Sequence, residues 1–205
     1  MAYECIYQEI NDLLTQYRDN APALYRGARE RVAVWQYARG GVTLQRGYYC
    51  PSPVYDLVVG GANRGRLLKS PSRCKTPPDF AYGFDAQGRL IVVDGPYSDL
   101  THGPYFREAV FREENREIGL RMDRDDRLCG ISICRYQDGR IMEYITALRL
   151  DLRSGSFTSF EQEVYTYQDG HLSTMDLLEH DAPSGLVRTW HYEFDHNGDS
   201  PFPRK

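Results

Sequence analysis

The feature that most constrains this chain is a phrase that returns along its second half: an aromatic residue, a strand-like continuation, Asp or Gln, a turn centred on Gly, a basic residue, then Leu or Ile. It reads Tyr82-Gly83-Phe84-Asp85-Ala86-Gln87-Gly88-Arg89-Leu90, then Arg135-Tyr136-Gln137-Asp138-Gly139-Arg140-Ile141, then Tyr165-Thr166-Tyr167-Gln168-Asp169-Gly170-His171-Leu172, then Tyr192-Glu193-Phe194-Asp195-His196-Asn197-Gly198. Each copy predicts the end of one strand, a tight turn and the start of the next, because Gly supplies the positive φ of a hairpin turn and the flanking side chains pair across it. The phrase constrains shape and carries no catalytic signature.

Spacing extends the pattern. After residue 116 the turn centres fall near Asp125, Asp138, Ser154, Asp169, Ser184 and Asn197, at intervals of 13 to 16 residues. That leaves strands of roughly 10 residues, long against the usual 5 to 6. The expected fold is mainly β (α+β): an up-and-down antiparallel meander of long twisted strands, open or curled toward a barrel, with residues 116–195 joined in order.

The N-terminal part reads differently. Ile6, Ile10, Leu13, Leu14 and Tyr17 recur at helical spacing, with Gln8, Glu9, Asp12 and Gln16 on the other side. This predicts one amphipathic helix over 3–18, packed on an apolar sheet face and stopped by Asn20-Ala21-Pro22. From Arg29 the period becomes two, so β-hairpins are expected over 29–69. Val32 and Val34 open the first strand, Gly40-Gly41 turns it, and Val42, Leu44 and Tyr48 continue a second; Val54–Val59 and Arg66–Lys69 form another pair. Pro71, Pro77 and Pro78 make 70–79 a surface loop, and Asp94 to Pro104 is a second irregular stretch. The 205 residues are read as a single domain, with a β-meander over 80–195 and a tail over 196–205.

The phrase at Tyr82 to Leu90 resembles the repeat of the bacterial Rhs and YD-repeat proteins, and the copies ending at Tyr167 and Phe194 are similar to it more loosely. The copy at Tyr192 has Asp199-Ser200 in place of the final Arg-Leu. Small proteins with such hairpins resemble those found beside polymorphic toxins as immunity proteins, which bind and occlude one toxin. The resemblance implies a non-enzymatic, immunity-type inhibitor.

Pairing across the Asp-Gly turns locates a candidate surface. A two-residue loop at Asp138-Gly139 sets Ile133 opposite Tyr144, Ile131 opposite Thr146 and Cys129 opposite Leu148 on a core face. Cys134 then faces Glu143 and Ser132 faces Ile145 on the other side. At Asp169-Gly170 the same rule sets Val164 opposite Met175 and Gln162 opposite Leu177, with Tyr165 opposite Thr174 and Glu163 opposite Asp176. Two carboxylates then stand side by side, and Glu161, Glu163, Tyr165, Asp176 and Trp190 are the expected partner-binding residues. The loop from Asp181 to Gly185 leaves the register of the last strand open. A slip of one residue there moves Trp190 to the core face and brings His191 and Glu193 outward.

Charge indicates the kind of partner. The net charge is −4, which argues against a general nucleic-acid or membrane-surface binder. Residues 161–199 carry nine acidic side chains against the single Arg188, and this face is expected to meet a basic protein such as a toxin domain. His180, Asp181, His191 and His196 cluster in sequence without the spacing of a ligand set, so no metal or other cofactor is expected. There is no G-x-S-x-G, and Gly60 to Gly65 lacks the Lys-Ser or Lys-Thr of a phosphate loop. The alternative is a small-ligand-binding or hydrolytic β-barrel, with Glu161, Glu163 and Asp176 as acid and base beside Tyr165 and Trp190 in an aromatic and carboxylate-lined cavity. Cys5, Cys50, Cys74, Cys129 and Cys134 form no C-x-x-C and are read as reduced, buried thiols, Cys129 facing the core and Cys134 the opposite side. No basic and apolar leader and no run near the roughly 18 apolar residues of a membrane span are present, so a cytoplasmic location is expected.

Overall fold

The structure, a computed structural model, describes residues 2–42, 45–54, 63–69, 75–97, 104–151, 156–181, 184–194 and 202–204. Two helices, α1 (Ala2–Tyr17) and α2 (Ala21–Glu30), precede the strands β1 (Val34–Arg39), β2 (Arg66–Leu67), β3 (Phe80–Phe84), β4 (Leu90–Tyr97), β5 (Pro104–Glu113) and β6 (Arg116–Met122). There follow β7 (Leu128–Gln137), β8 (Arg140–Asp151), β9 (Ser156–Gln168), β10 (His171–Asp181), β11 (Leu186–Glu193) and β12 (Phe202–Arg204). The hydrogen-bonded order is β12-β11-β10-β9-β8-β7-β6-β5-β4-β3-β1-β2. From β3 onward this is an antiparallel meander in sequence order, and among the described residues β2 and β12 are its end strands, with no pairing that closes it into a barrel.

The turns have the expected backbone. Asp138 and Gly139 adopt φ of 51° and 77°, and Asp169 and Gly170 adopt 49° and 87°, the left-handed pair of a two-residue hairpin loop. Both hairpins then depart from simple pairing at the same place. Tyr136 faces Ile141 but Arg135 faces Glu143, so Met142 is skipped; Tyr167 faces Leu172 but Thr166 faces Thr174, so Ser173 is skipped. Each skipped residue is a β-bulge, and it slides every later pair by one position. Ile133 therefore faces Ile145 instead of Tyr144, Ile131 faces Ala147, and Cys134 faces Tyr144. The pair Glu163–Asp176 does not form, since Glu163 faces Leu177 and Asp176 faces Val164.

A second turn type repeats as well. In Asp85-Ala86-Gln87-Gly88-Arg89 and Asp123-Arg124-Asp125-Asp126-Arg127, the first Asp Oδ1 accepts the N–H groups of the residues two and four positions on, at 2.8–3.0 Å. The residue at the fourth position has positive φ, 74° at Gly88 and 62° at Asp126. Phe84 to Leu90 and Met122 to Leu128 are thus two copies of one unit.

The N-terminal half needs more correction. Asn20-Ala21-Pro22 ends α1 but also begins α2, where Pro22 occupies the first turn and its missing N–H costs nothing. Strand pairing consequently starts at Val34 and not at Arg29. Gly40 and Gly41 have φ of 83° and 75°, yet the chain does not return as a strand through Tyr48, which lies in a 3-10 turn, Gly47–Tyr49. β1 pairs instead with β2, Arg39 facing Arg66, and with β3. A Cβ on Gly40 would lie 2.9 Å from Gly65 Cα, a closeness that only glycine allows. Gly95 and Pro96 belong to β4, which runs to Tyr97. Leu44, Val59, Cys74, Ser154 and His196 lie outside the described residues.

The chain divides into two compact units, one of Met1–Gln16, Arg112–Ile118 and Cys129–Lys205, the other of Tyr17–Phe111 and Gly119–Leu128. In the first, Ile6, Ile10, Leu13 and Leu14 of α1 are buried. Glu9 of the same helix pairs with Arg116 of β6 at 3.1 Å and Arg135 of β7 at 2.5 Å, and Tyr3 stacks on His180 of β10 at 5.3 Å. Both faces of β7 are covered, since Ile131, Ser132, Ile133 and Cys134 are all buried. Hence Cys134 is buried while Cys129, nearer the strand end, is only half-buried, the reverse of the expected contrast; Cys5 is exposed, and the described cysteines are free thiols. The second unit has a core of Ala38, Phe80, Tyr82, Val93, Phe106 and Val110.

Candidate functional site

The two bulges and the β10–β11 register decide which side chains share a face, because residues directly opposite on paired strands project the same way. One row on β8 to β11 is Thr146–Glu161–Glu179–Arg188, and the next is Tyr144–Glu163–Leu177–Trp190. Two carboxylates do stand side by side across β9 and β10, but they are Glu161 and Glu179. A cavity of about 380 Å³ opens over the first row, lined by Thr146, Glu161, Glu179 and Arg188 together with Ser159 and Asp181.

Electrostatics mark Glu161 within this row. Burial, then the neighbouring Glu179 and Glu163 carboxylates, push its carboxyl group up to about 7, because each of these disfavours the charged form. Near neutrality Glu161 is therefore partly protonated, and a cation entering the cavity beside it would favour its charged form. The same carboxylates, after burial, raise the Tyr192 hydroxyl.

The expected partner-binding residues separate into three positions. Glu161 lines the cavity. Glu163 and Tyr165 lie on the same face but are only 2% and 1% exposed, with the Tyr165 hydroxyl donating to Glu163 Oε2; Trp190, half-buried, faces Leu177 on this side. Asp176 points to the opposite face, where its Oδ1 lies 2.6 Å from His191 Nδ1. The one-residue slip in the last strand is the register found: Trp190 is turned inward and His191 outward.

Sequence reasoning missed Glu179 and Thr146 as members of this face. Glu179 is six positions beyond Ser173, and once that residue is counted as a bulge, Glu179 falls opposite Glu161. The histidine cluster disperses: His180 lies between the rings of Tyr3 and Phe160, and His191 is engaged by Asp176. Among the described residues no group of three His, Cys, Asp or Glu side chains could hold a metal ion, and no helix is long and apolar enough to cross a membrane.

No family model matches the chain, and no curated protein matches it. Among solved structures the chain is similar to a protein of unknown function from Bacteroides fragilis, at 8% identity and a TM-score of 0.42, over 59% of this chain and 94% of that one.

Proposed function

We propose that this protein is a non-enzymatic binding module of the bacterial immunity type, which takes a basic side chain of a protein partner against Glu161 and Glu179. The observation that supports the reading is the cross-strand carboxylate pair lining a cavity, in which burial, then repulsion from Glu179 and Glu163, raises the Glu161 carboxyl group to about 7. A lysine or arginine of the partner relieves that repulsion, so binding is coupled to ionisation of Glu161. The acidic excess of residues 161–199 steers such a partner toward the face. The likeness of the hairpins to Rhs and YD-repeat units supports a toxin domain as that partner, and free thiols fit a cytoplasmic setting.

The test is a titration of wild type, Glu179→Gln and Asp176→Asn with a lysine-rich and an arginine-rich peptide at two ionic strengths. Glu179→Gln is expected to weaken binding and reduce its salt dependence, whereas Asp176→Asn, on the opposite face, leaves both unchanged. Equal affinities for Glu179→Gln and wild type would remove this face from the mechanism. The cavity also favours a second reading, a small cationic ligand; saturable binding of argininamide alone, with no added affinity for peptides, would select it.

A further inference from the structure

The row of side chains that lines the cavity changes sign along its length. Glu161 on β9 and Glu179 on β10 stand opposite each other, and Arg188 on β11 stands opposite Glu179 on its other side. All three line the cavity. Arg188 nevertheless makes no ion pair or hydrogen bond among the described residues. Its charge does not offset the burial and repulsion that raise the Glu161 carboxyl to about 7. The cavity thus offers two carboxylates on one side and an unengaged guanidinium on the other.

The neighbouring row leaves this division of charge intact. Asp181, which also lines the cavity, accepts a hydrogen bond from the Ser184 hydroxyl. Leu186 lies two positions before Arg188, on the same face of β11, and is exposed. Neighbouring strands are about 4.8 Å apart, so the mid-line between Glu161 and Glu179 is about 7 Å from β11. That is roughly the separation between the ammonium and the α-carboxylate of an extended lysine, given ordinary bond lengths.

We propose that this cavity takes a basic residue with a free α-carboxylate, its side-chain cation against Glu161 and Glu179 and its carboxylate on Arg188, so that the partner presents a carboxy-terminal Lys or Arg. This rests on the binding of a basic side chain proposed above and adds the group that Arg188 receives. An internal lysine satisfies the two carboxylates and leaves Arg188 to solvent, whereas a terminal one meets both signs with a single residue. The methylene stem then has Leu186 beside it. A free basic amino acid carries the same two groups, and the experiment separates the two sources.

Amide chemical-shift titrations of the full chain provide dissociation constants for an amino-terminally blocked glycine–serine peptide ending in lysine, made with a free carboxylate and with a carboxamide. The chain carries a net charge of −4, so general electrostatics favours the carboxamide. The proposal predicts the reverse: the free carboxylate binds about tenfold more tightly, as one hydrogen bond to a charged group provides. Arg188→Gln abolishes that preference without weakening the carboxamide. Glu179→Gln weakens both peptides by a similar factor and keeps the preference. Equal affinities of the two peptides for wild type would overturn the terminal carboxylate, while the basic-side-chain site stands wherever Glu179→Gln still weakens both. No effect of Glu179→Gln, or no saturable binding of either peptide, would remove that site and this proposal with it. A preference that persists in Arg188→Gln would overturn the role of Arg188. Free lysine binding as tightly as the peptide would make an amino acid, and not a protein terminus, the ligand.

Discussion

Glu161 on β9 stands directly opposite Glu179 on β10, and Glu161 takes up protons near neutrality because burial and the Glu179 and Glu163 charges act together. An acid whose folded-state pKa is raised contributes stability that is complete below the ordinary carboxyl range and is lost as pH rises through about 7. Glu161→Gln mimics the protonated form. The variant is expected to match wild type near pH 4 and to exceed it by about 2 kcal/mol at pH 8, after allowance for partial solvent screening. Urea unfolding at the two pH values measures this, and a difference that does not change with pH would refute it.

Glycine positions separate backbone strain from crowding. A Cβ on Gly139 meets nothing within 4 Å, but φ is 77° there, so Gly139→Ala should cost about 1 kcal/mol from strain alone, and Gly139→Val more. Gly83 has no such φ, yet its Cβ would lie 2.5 Å from Val32 Cγ2 and 3.2 Å from Val92 Cβ. Gly83→Ala should therefore be the worse of the two alanine substitutions, about 1–3 kcal/mol from overpacking. Melting curves that rank them the other way would show that the strand can move aside.

These turns and bulges also show what could be read from the sequence. Asp138-Gly139 and Asp169-Gly170 are local chemistry, and their conformation follows from residue type alone. Met142 and Ser173 differ in type, so residue identity does not announce the bulge; only its place repeats, three residues beyond the turn glycine here and again at Ile91 after Gly88. One bypass was enough to exchange Asp176 for Leu177 opposite Glu163, and with it the composition of the candidate face. The helix α2 escaped for a related reason. Its buried set is only Ala21, Tyr25 and Ala28, too few for a periodicity to stand out, and Pro22 reads equally as a stop or a start. Asp123-Arg124-Asp125-Asp126 hid a second copy of the Asp85 turn because Asp126 replaces the diagnostic glycine.

That second copy predicts matched behaviour. Asp123→Ala removes acceptors for the N–H groups of Asp125 and Arg127 at 2.8 and 3.0 Å and should cost about 1 kcal/mol. Asp85→Ala should lower the melting temperature in the same direction, and Asp126→Gly should raise it, because glycine adopts the φ of 62° without strain. An Asp126→Gly variant that melts lower than wild type would break the equivalence of the two turns.

The last prediction concerns Asp94, which is 1% exposed and holds α2 against β4. Its Oδ1 accepts the Tyr25 hydroxyl at 2.6 Å and its Oδ2 accepts Arg29 Nη1 at 2.7 Å. Burial raises the Asp94 carboxyl despite these donors, and burial together with the Asp94 charge raises the Tyr25 hydroxyl. Tyr25→Phe removes one donor from a buried carboxylate, so the Asp94 pKa rises further and the charged form becomes costlier. A raised acid loses its stabilising contribution as pH increases. The variant should therefore be destabilised by about 1–3 kcal/mol near neutrality and by less at pH 5, where more of Asp94 is already protonated. Chemical denaturation of Tyr25→Phe and wild type at pH 5 and 8 decides it. A penalty equal at both values would mean that the lost packing, and not the carboxylate, accounts for the change.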